Sequence, residues 1–170
     1  RELQKLALDD PSKISDSPNH EEDKSEWKPK LIHLVGSDSG YFEKYGNLLI
    51  SSSLRSGADD VLVYVVVANP TDVVKETLAD WSAVDGVHVE YEFVYPDVVS
   101  KPYYTCIRFF KAPDLIKKYN APLFVTDIDM AVKGEWVNTL DKVRFADVGY
   151  VRKSSDLEFS EFVEPGMRPW

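Results

Sequence analysis

The feature that most constrains the fold is an uninterrupted apolar run at residues 61–68. It reads Val-Leu-Val-Tyr-Val-Val-Val-Ala, and five of its eight residues are valine. Valine favours extended structure, and a strand without alternating polar residues must be buried on both faces. Strands of this kind occur in parallel sheets, because helices cover both faces of such sheets. The run therefore predicts the central strand of a parallel sheet.

Extended and helical patterns alternate on both sides of this run. Further strands are predicted at residues 31–35, ended by Gly36, at 86–94, and directly after Pro122. Helices are predicted at 41–55, at about 71–84, and at about 103–119 with a kink or break at Pro113. This order predicts an α/β fold with a Rossmann-like, open and mostly parallel sheet and helices on both faces. Ligands of such folds bind at the carboxyl ends of the strands.

Composition sets the broad class of protein. The 170 residues suffice for one core, and we expect residues 1–28 to form a polar arm and residues 29–170 one domain. The net charge of -9 argues against a nucleic-acid partner. The chain has no apolar run long enough for a membrane segment and a single cysteine, Cys106, which favour a soluble, cytoplasmic protein. Its start at Arg1 suggests a piece of a longer protein.

Two carboxylates, Asp127 and Asp129, end the last apolar run, Leu-Phe-Val-Thr-Asp-Ile-Asp. This run predicts a short strand that is buried on both faces. On an extended segment, side chains two residues apart share one face. Like charges about 4 Å apart repel by roughly 4 kcal/mol at an effective dielectric constant of about 20, so both stay ionised only with solvent or a cation between them. Oxygen ligands suit Mg²⁺ or Mn²⁺. The alternative is a turn with two solvated carboxylates.

A second candidate site lies between Gly36 and Tyr41, after the first predicted strand. It lacks the glycine pattern of dinucleotide-binding folds and the Gly-Lys-Ser/Thr pattern of phosphate-binding loops. Asp38 can accept a hydrogen bond from a base or ribose, and Tyr41 can stack on a base. The alternative is that Asp38 caps a helix while Tyr41 packs locally.

Four segments together resemble the GT-A nucleotide-sugar glycosyltransferases, most closely glycosyltransferase family 8 and its relatives. The first is the stretch from His33 to Tyr41 with the Ser-x-Leu element that follows. The second is the segment from Tyr103 to Leu115, which carries Arg108. The others are the Asp-x-Asp segment at 123–130 and the strand-like segment at 145–151.

The resemblance implies a sugar transfer from a nucleotide-diphosphate donor, with Asp127 and Asp129 holding Mn²⁺ or Mg²⁺ on the diphosphate. It implies that Asp38 and Tyr41 contact the nucleoside and that Arg108 contacts the nucleotide or donor sugar. With Gly36 and Asp127, these three residues form the predicted nucleotide-binding set. A surface arginine paired with a nearby acid is the alternative for Arg108.

The sequence departs from the family pattern in its second half. The family has a later metal-binding histidine, whereas His20, His33 and His88 all precede the Asp pair, and the final Arg-Pro-Trp lacks one. We expect the acceptor-binding half to be largely missing from these residues, and the acceptor is unknown. No catalytic base is identified. The open candidates are Asp147, Asp156, Glu158 and Glu161.

Two other classes of protein stay open. An apolar strand followed by Asp-Ile-Asp also resembles haloacid dehalogenase-like phosphatases, in which Asp127 would be the nucleophile and Asp129 the general acid. The other possibility is a module that binds a nucleotide sugar without turning it over.

Overall fold

A computed structural model of the chain describes residues 27–57, 59–97 and 101–135. Within these residues, four strands alternate with three helices, as the sequence predicts. In chain order the elements are β1 (Leu31–Asp38), α1 (Ser39–Arg55), β2 (Val61–Ala68), α2 (Asp72–Ala83), β3 (Val89–Val94), α3 (Lys101–Tyr119) and β4 (Leu123–Thr126).

The four described strands form a sheet in the order β3-β2-β1-β4, and every neighbouring pair is parallel. The chain moves outward from β1 through β2 to β3, and then returns through α3 to place β4 on the other side of β1. This arrangement confirms the predicted α/β fold with a Rossmann-like parallel sheet. The reversal of strand order at β1 creates a crevice at the carboxyl edge between β1 and β4.

The two central strands are buried as their composition predicts. In β2 all residues are buried except Tyr64, which is half-buried, and in β1 all are buried except the terminal Asp38. Burial on both faces explains why neither strand alternates between apolar and polar residues. The prediction that residues 61–68 form a central strand is confirmed.

The last strand differs from its prediction. The sequence analysis expects this strand to be buried on both faces, but all four residues of β4 are half-buried, including Phe124 and Val125. Among the described strands β4 has one neighbour, β1, so it lies at an edge of the described sheet. Composition alone cannot distinguish such a position from a central one.

The helices cover both faces of the sheet. Alternate residues of β1 point to opposite faces, and His33 faces α1, where it bonds to Ser53. Ile32 and Leu34 face the other way, into a cluster that includes Ile107 of α3. The sheet therefore lies between α1 on one side and α3 on the other.

Gly36 does not end the first strand, which continues to Asp38. A Cβ atom at this position would lie 2.8 Å from Ile107 Cγ2 and 3.0 Å from the carbonyl oxygen of Tyr104. Real Cβ atoms essentially never show the first of these distances, and the second is shorter than most real Cβ contacts. The absence of a side chain at Gly36 therefore lets α3 pack directly on the backbone of β1.

The third helix runs without interruption through Pro113. Proline removes the hydrogen bond to the carbonyl four residues earlier, here that of Phe109. Both Pro113 and Phe109 are exposed, so water can satisfy this carbonyl. Of the predicted kink or break, the break is therefore wrong. The third strand also starts later than predicted, at Val89, because Gly86 adopts a left-handed conformation with φ of 72°.

The described part of the predicted arm consists of Trp27 and Lys28. The Trp27 ring stacks on His88 with a centroid distance of 3.5 Å, and its Nε1 donates to the carbonyl of Asp59 over 2.9 Å. Among the described helices, none has the length and apolar character that a membrane crossing requires.

Candidate functional site

The predicted site residues in the described part of the chain meet at the carboxyl edge of the sheet. Val35 of β1 pairs with Thr126 of β4, so the chain leaves both strands at neighbouring positions. Asp38 follows on the β1 side, and Asp127 follows on the β4 side. This is the crevice created by the reversal of strand order, which is where open α/β sheets bind ligands.

On the β1 side, Asp38 caps helix α1. Its backbone is extended, and its Oδ1 accepts a hydrogen bond from the backbone N–H of Tyr41 over 2.8 Å. The capping alternative is therefore confirmed as part of the role of Asp38. A carboxylate has acceptor positions beyond one such bond, so capping does not exclude a ligand contact.

Two tyrosines lie beside this carboxylate. Tyr41 is 43% exposed, and its ring contacts Tyr45 in a tilted arrangement with a centroid distance of 6.0 Å. The pKa of Tyr104 is raised, first by partial burial and then by the negative charge of Asp38. The sequence analysis did not select Tyr104. The sequence signal for Tyr104 is its spacing of four residues from Arg108, which places both side chains on one face of α3.

Arg108 links α3 to the β4 side of the crevice. Its Nη1 donates to the carbonyl of Thr126 over 2.6 Å, and its Nη2 forms an ion pair with Asp127 Oδ1, also over 2.6 Å. The side chain is 8% exposed, whereas that of Asp127 is 63% exposed. The alternative predicted an exposed arginine paired with an acid. The predicted exposure is wrong, but the acidic partner is present as Asp127. A buried guanidinium needs such partners to offset its loss of hydration.

The two carboxylates lie in a turn and not on an extended segment. The backbone N–H of Met130 donates to the carbonyl of Asp127 over 3.3 Å. Ile128 between them is buried, while Asp127 and Asp129 are exposed. Because the apolar residue points inward, the turn presents both carboxylates to solvent.

The chain after this turn is attached to α1. The backbone N–H of Val132 donates to Ser52 Oγ over 3.1 Å, and this hydroxyl donates to the carbonyl of Leu49 over 2.9 Å. Ser52 is buried. The Asp127 turn is thus fixed at its start by Arg108 and beyond its end by a serine of the first helix.

A buried histidine lies beneath the same turn. The two ring nitrogens of His33 lie 2.7 Å from Ser53 Oγ and 2.7 Å from Thr126 Oγ1. Burial lowers the pKa of His33 to about 3, so its imidazole is neutral at physiological pH. Sequence analysis did not find this contact, since residues 33 and 126 are far apart in the chain.

The carboxylates fit part of the ligand set of a hard divalent cation. Asp127 and Asp129 supply exposed oxygen atoms, although one oxygen of Asp127 is engaged by Arg108. In residues 27–57, 59–97 and 101–135, no group of three or more metal-binding side chains occurs. Mg²⁺ and Mn²⁺ sites often use one or two carboxylates and complete their coordination with phosphate and water. The donors are therefore suited to a cation that arrives with a phosphate ligand.

Several predicted features lie outside the described residues. These are most of the arm, the strand-like segment at 145–151, the final Arg-Pro-Trp and the open base candidates, Asp147, Asp156, Glu158 and Glu161.

Comparison of the chain with protein-family models, with curated proteins and with solved structures gave no significant match.

Proposed function

We propose that the chain is the nucleotide-binding part of a metal-dependent glycosyltransferase of the GT-A type, which transfers a sugar from a nucleotide-diphosphate donor. One observation carries the proposal. The turn with Asp127 and Asp129, with Arg108 held against it, leaves the sheet beside the start of α1, where Asp38 and Tyr41 lie. Acceptors for a nucleoside and ligands for a diphosphate-bound cation thus share one crevice.

The β1 side suits the nucleoside of the donor. Asp38 keeps acceptor capacity after capping α1 and can bind a ribose hydroxyl or a base N–H. The exposed ring of Tyr41 offers a surface on which a base can stack. Tyr104 borders the same carboxylate and adds a phenolic hydroxyl.

The β4 side suits the diphosphate. Asp127 and Asp129 would hold Mn²⁺ or Mg²⁺, and the bound cation would stabilise the charge that develops on the departing diphosphate. Arg108 orients the Asp127 carboxylate through the ion pair and places a fixed positive charge beside it. The remaining Asp127 oxygen stays available as a ligand.

Acceptor recognition is assigned to residues outside 27–135. The proposal therefore concerns donor binding first. Hydrolysis of the bound donor would indicate an enzyme, whereas binding without hydrolysis would indicate a binding module that uses the same crevice.

The test is a thermal-shift and calorimetry panel of nucleoside diphosphates and nucleotide sugars, with and without Mn²⁺. We expect one nucleotide to bind only with the cation and, at 100 times its Kd, to stabilise the fold by about 2.7 kcal/mol. Excess chelator should abolish this binding. Undiminished binding in chelator would remove the metal from the proposal.

Three matched substitutions locate the site, since each replaces one aspartate by asparagine. Asp129→Asn should weaken binding most, because it removes a ligand of the cation. Asp38→Asn should weaken it less, because the amide keeps one acceptor. Asp80→Asn, at an exposed position on α2, is the control and should leave binding unchanged. A larger loss in Asp38→Asn than in Asp129→Asn would contradict the proposed arrangement.

A further inference from the structure

The contacts of His33 define the direction of its two hydrogen bonds. Ser53 Oγ donates its single hydrogen to the carbonyl of Leu49 over 2.8 Å. It must therefore accept from His33, so Nδ1 of the imidazole carries the proton. Nε2 is then the acceptor, and the hydroxyl of Thr126 donates to it. The two bonds fix one tautomer of a neutral ring and use both of its ends.

Thr126 extends this chain of contacts to the candidate site. Its hydroxyl donates to His33, and its carbonyl accepts from Arg108 Nη1 over 2.6 Å. That carbonyl belongs to the peptide that joins Thr126 to Asp127. The orientation of this peptide therefore fixes both the acceptor for Arg108 and the start of the carboxylate turn. Arg108 in turn contacts Asp127 directly through their ion pair.

We propose that His33 is a positioning residue of the candidate site: through Thr126 it holds Arg108 and Asp127 in the arrangement that receives the diphosphate and its cation. The inference rests on the proposed function for the identity of the ligand. It does not require His33 to touch the ligand. A ring with a donor at one end and an acceptor at the other joins α1 to β4, and an apolar side chain of similar size leaves both hydroxyls without this partner.

Binding of the nucleoside diphosphate that the panel selects, measured by calorimetry with Mn²⁺, is the first readout. Thr126→Val keeps the branched shape but removes the hydroxyl, and Thr126→Ser restores the hydroxyl. His33→Leu removes both polar ends, whereas the amide of His33→Gln can donate and accept. We expect Thr126→Val and His33→Leu to weaken binding roughly tenfold or more, as loss of groups that orient metal ligands does. Thr126→Ser and His33→Gln should recover most of it.

A destabilised control separates positioning from loss of stability. Val74→Ala truncates a fully buried residue of α2 that does not belong to the chain of contacts. It should lower the melting temperature and leave the Kd of the folded protein unchanged. If Val74→Ala and Thr126→Val weaken binding equally, or if Thr126→Val binds as the unmodified chain does, the positioning role is overturned.

A second readout needs no ligand. The ¹⁵N signals of the His33 ring report its tautomer, and the Nε–H signal of Arg108 reports the placement of its guanidinium. We expect both to shift in Thr126→Val and to return towards their original positions in Thr126→Ser. If the unmodified chain binds no nucleotide, the proposed function fails, and these signals decide the positioning role alone. An unchanged Arg108 signal in Thr126→Val would then overturn it. If His33→Leu does not fold, the two Thr126 variants still give the answer.

Discussion

The segment that follows β1 and the segment that follows β4 leave the same edge of the sheet, but they are held in different ways. After β1, the chain enters α1 directly, and Asp38 caps the helix that its own strand leads into. After β4, the chain enters a turn that depends on Arg108 from α3 and on Ser52 from α1. One side of the site is organised by local backbone structure, and the other by side chains distant in sequence.

Burial follows the same division. The strand before Asp38 has neighbours on both sides, while among the described strands β4 pairs with β1 alone and is half-buried throughout. A short strand with one neighbour has fewer backbone bonds to fix its end. The side-chain contacts at Thr126 and Asp127 therefore supply order that the central strand obtains from the sheet itself. We therefore expect substitutions and changes of pH to affect the β1 side and the β4 side to different extents.

Acidification should produce the largest effect, and it acts at His33 of β1, whose contact with Thr126 helps to fix the end of β4. The pKa of His33 is lowered to about 3 in the folded state from its ordinary value of 6.5. Between these values the unfolded chain binds more protons, so this group makes stability fall as pH falls below 6.5, by about 1.4 kcal/mol per pH unit. At pH 4.5 the loss is roughly 3 kcal/mol.

The measurement is urea denaturation of the unmodified chain and of His33→Gln between pH 4 and pH 8. The glutamine does not titrate, so the stability difference between the two proteins should shrink, or reverse, as pH falls. A difference that stays constant across this range would mean that His33 does not become protonated on unfolding.

Sequence analysis predicts the backbone-organised side better than the other. The unbroken apolar run of β2, the alternation of elements and the helix cap at Asp38 are local patterns, and local patterns can be read from one sequence. The neighbours of β4 and the contacts of His33 are not local. His33 and Thr126 are separated by 93 positions, and nothing in the spacing of either residue indicates the other. The strand order that brings them together follows from packing of the whole sheet.

Gly36 illustrates the same limit within the better-predicted side. A glycine after an apolar run suggests the end of a strand, but here the strand continues and the missing side chain makes room for α3. The prediction that Gly36 ends the strand is therefore wrong. The space is needed by a helix some 70 residues later, which carries both Tyr104 and Arg108.

A matched pair of glycine substitutions tests this coupling of the two sides. Gly36→Ala forces a Cβ against Ile107 and the backbone of Tyr104, so we expect a destabilisation of roughly 2 kcal/mol and a displaced α3. At Gly40 an added Cβ would meet only Asp38 Oδ1, at 3.7 Å. Gly40→Ala should therefore be neutral or stabilise α1 by up to about 1 kcal/mol. Denaturation curves measure both, and equal effects of the two substitutions would refute the packing role of Gly36.

The smallest expected effect tests whether the β1 side depends on its local cap. Asp38→Ala removes the acceptor for the Tyr41 N–H and should destabilise the chain by about 1 kcal/mol, whereas Asp38→Asn should retain most of the cap, because asparagine caps helices nearly as well. The pKa of Tyr104 should fall in both variants, since the charge of Asp38 contributes to raising it. Urea denaturation gives the stability, and a spectroscopic titration of the tyrosines gives the pKa. A cap that is local should leave the Arg108 Nε–H signal unchanged in Asp38→Asn. A shift of that signal would show that the two sides of the crevice are coupled through Tyr104 and α3, and the contrast between them would then be weaker than their contacts indicate.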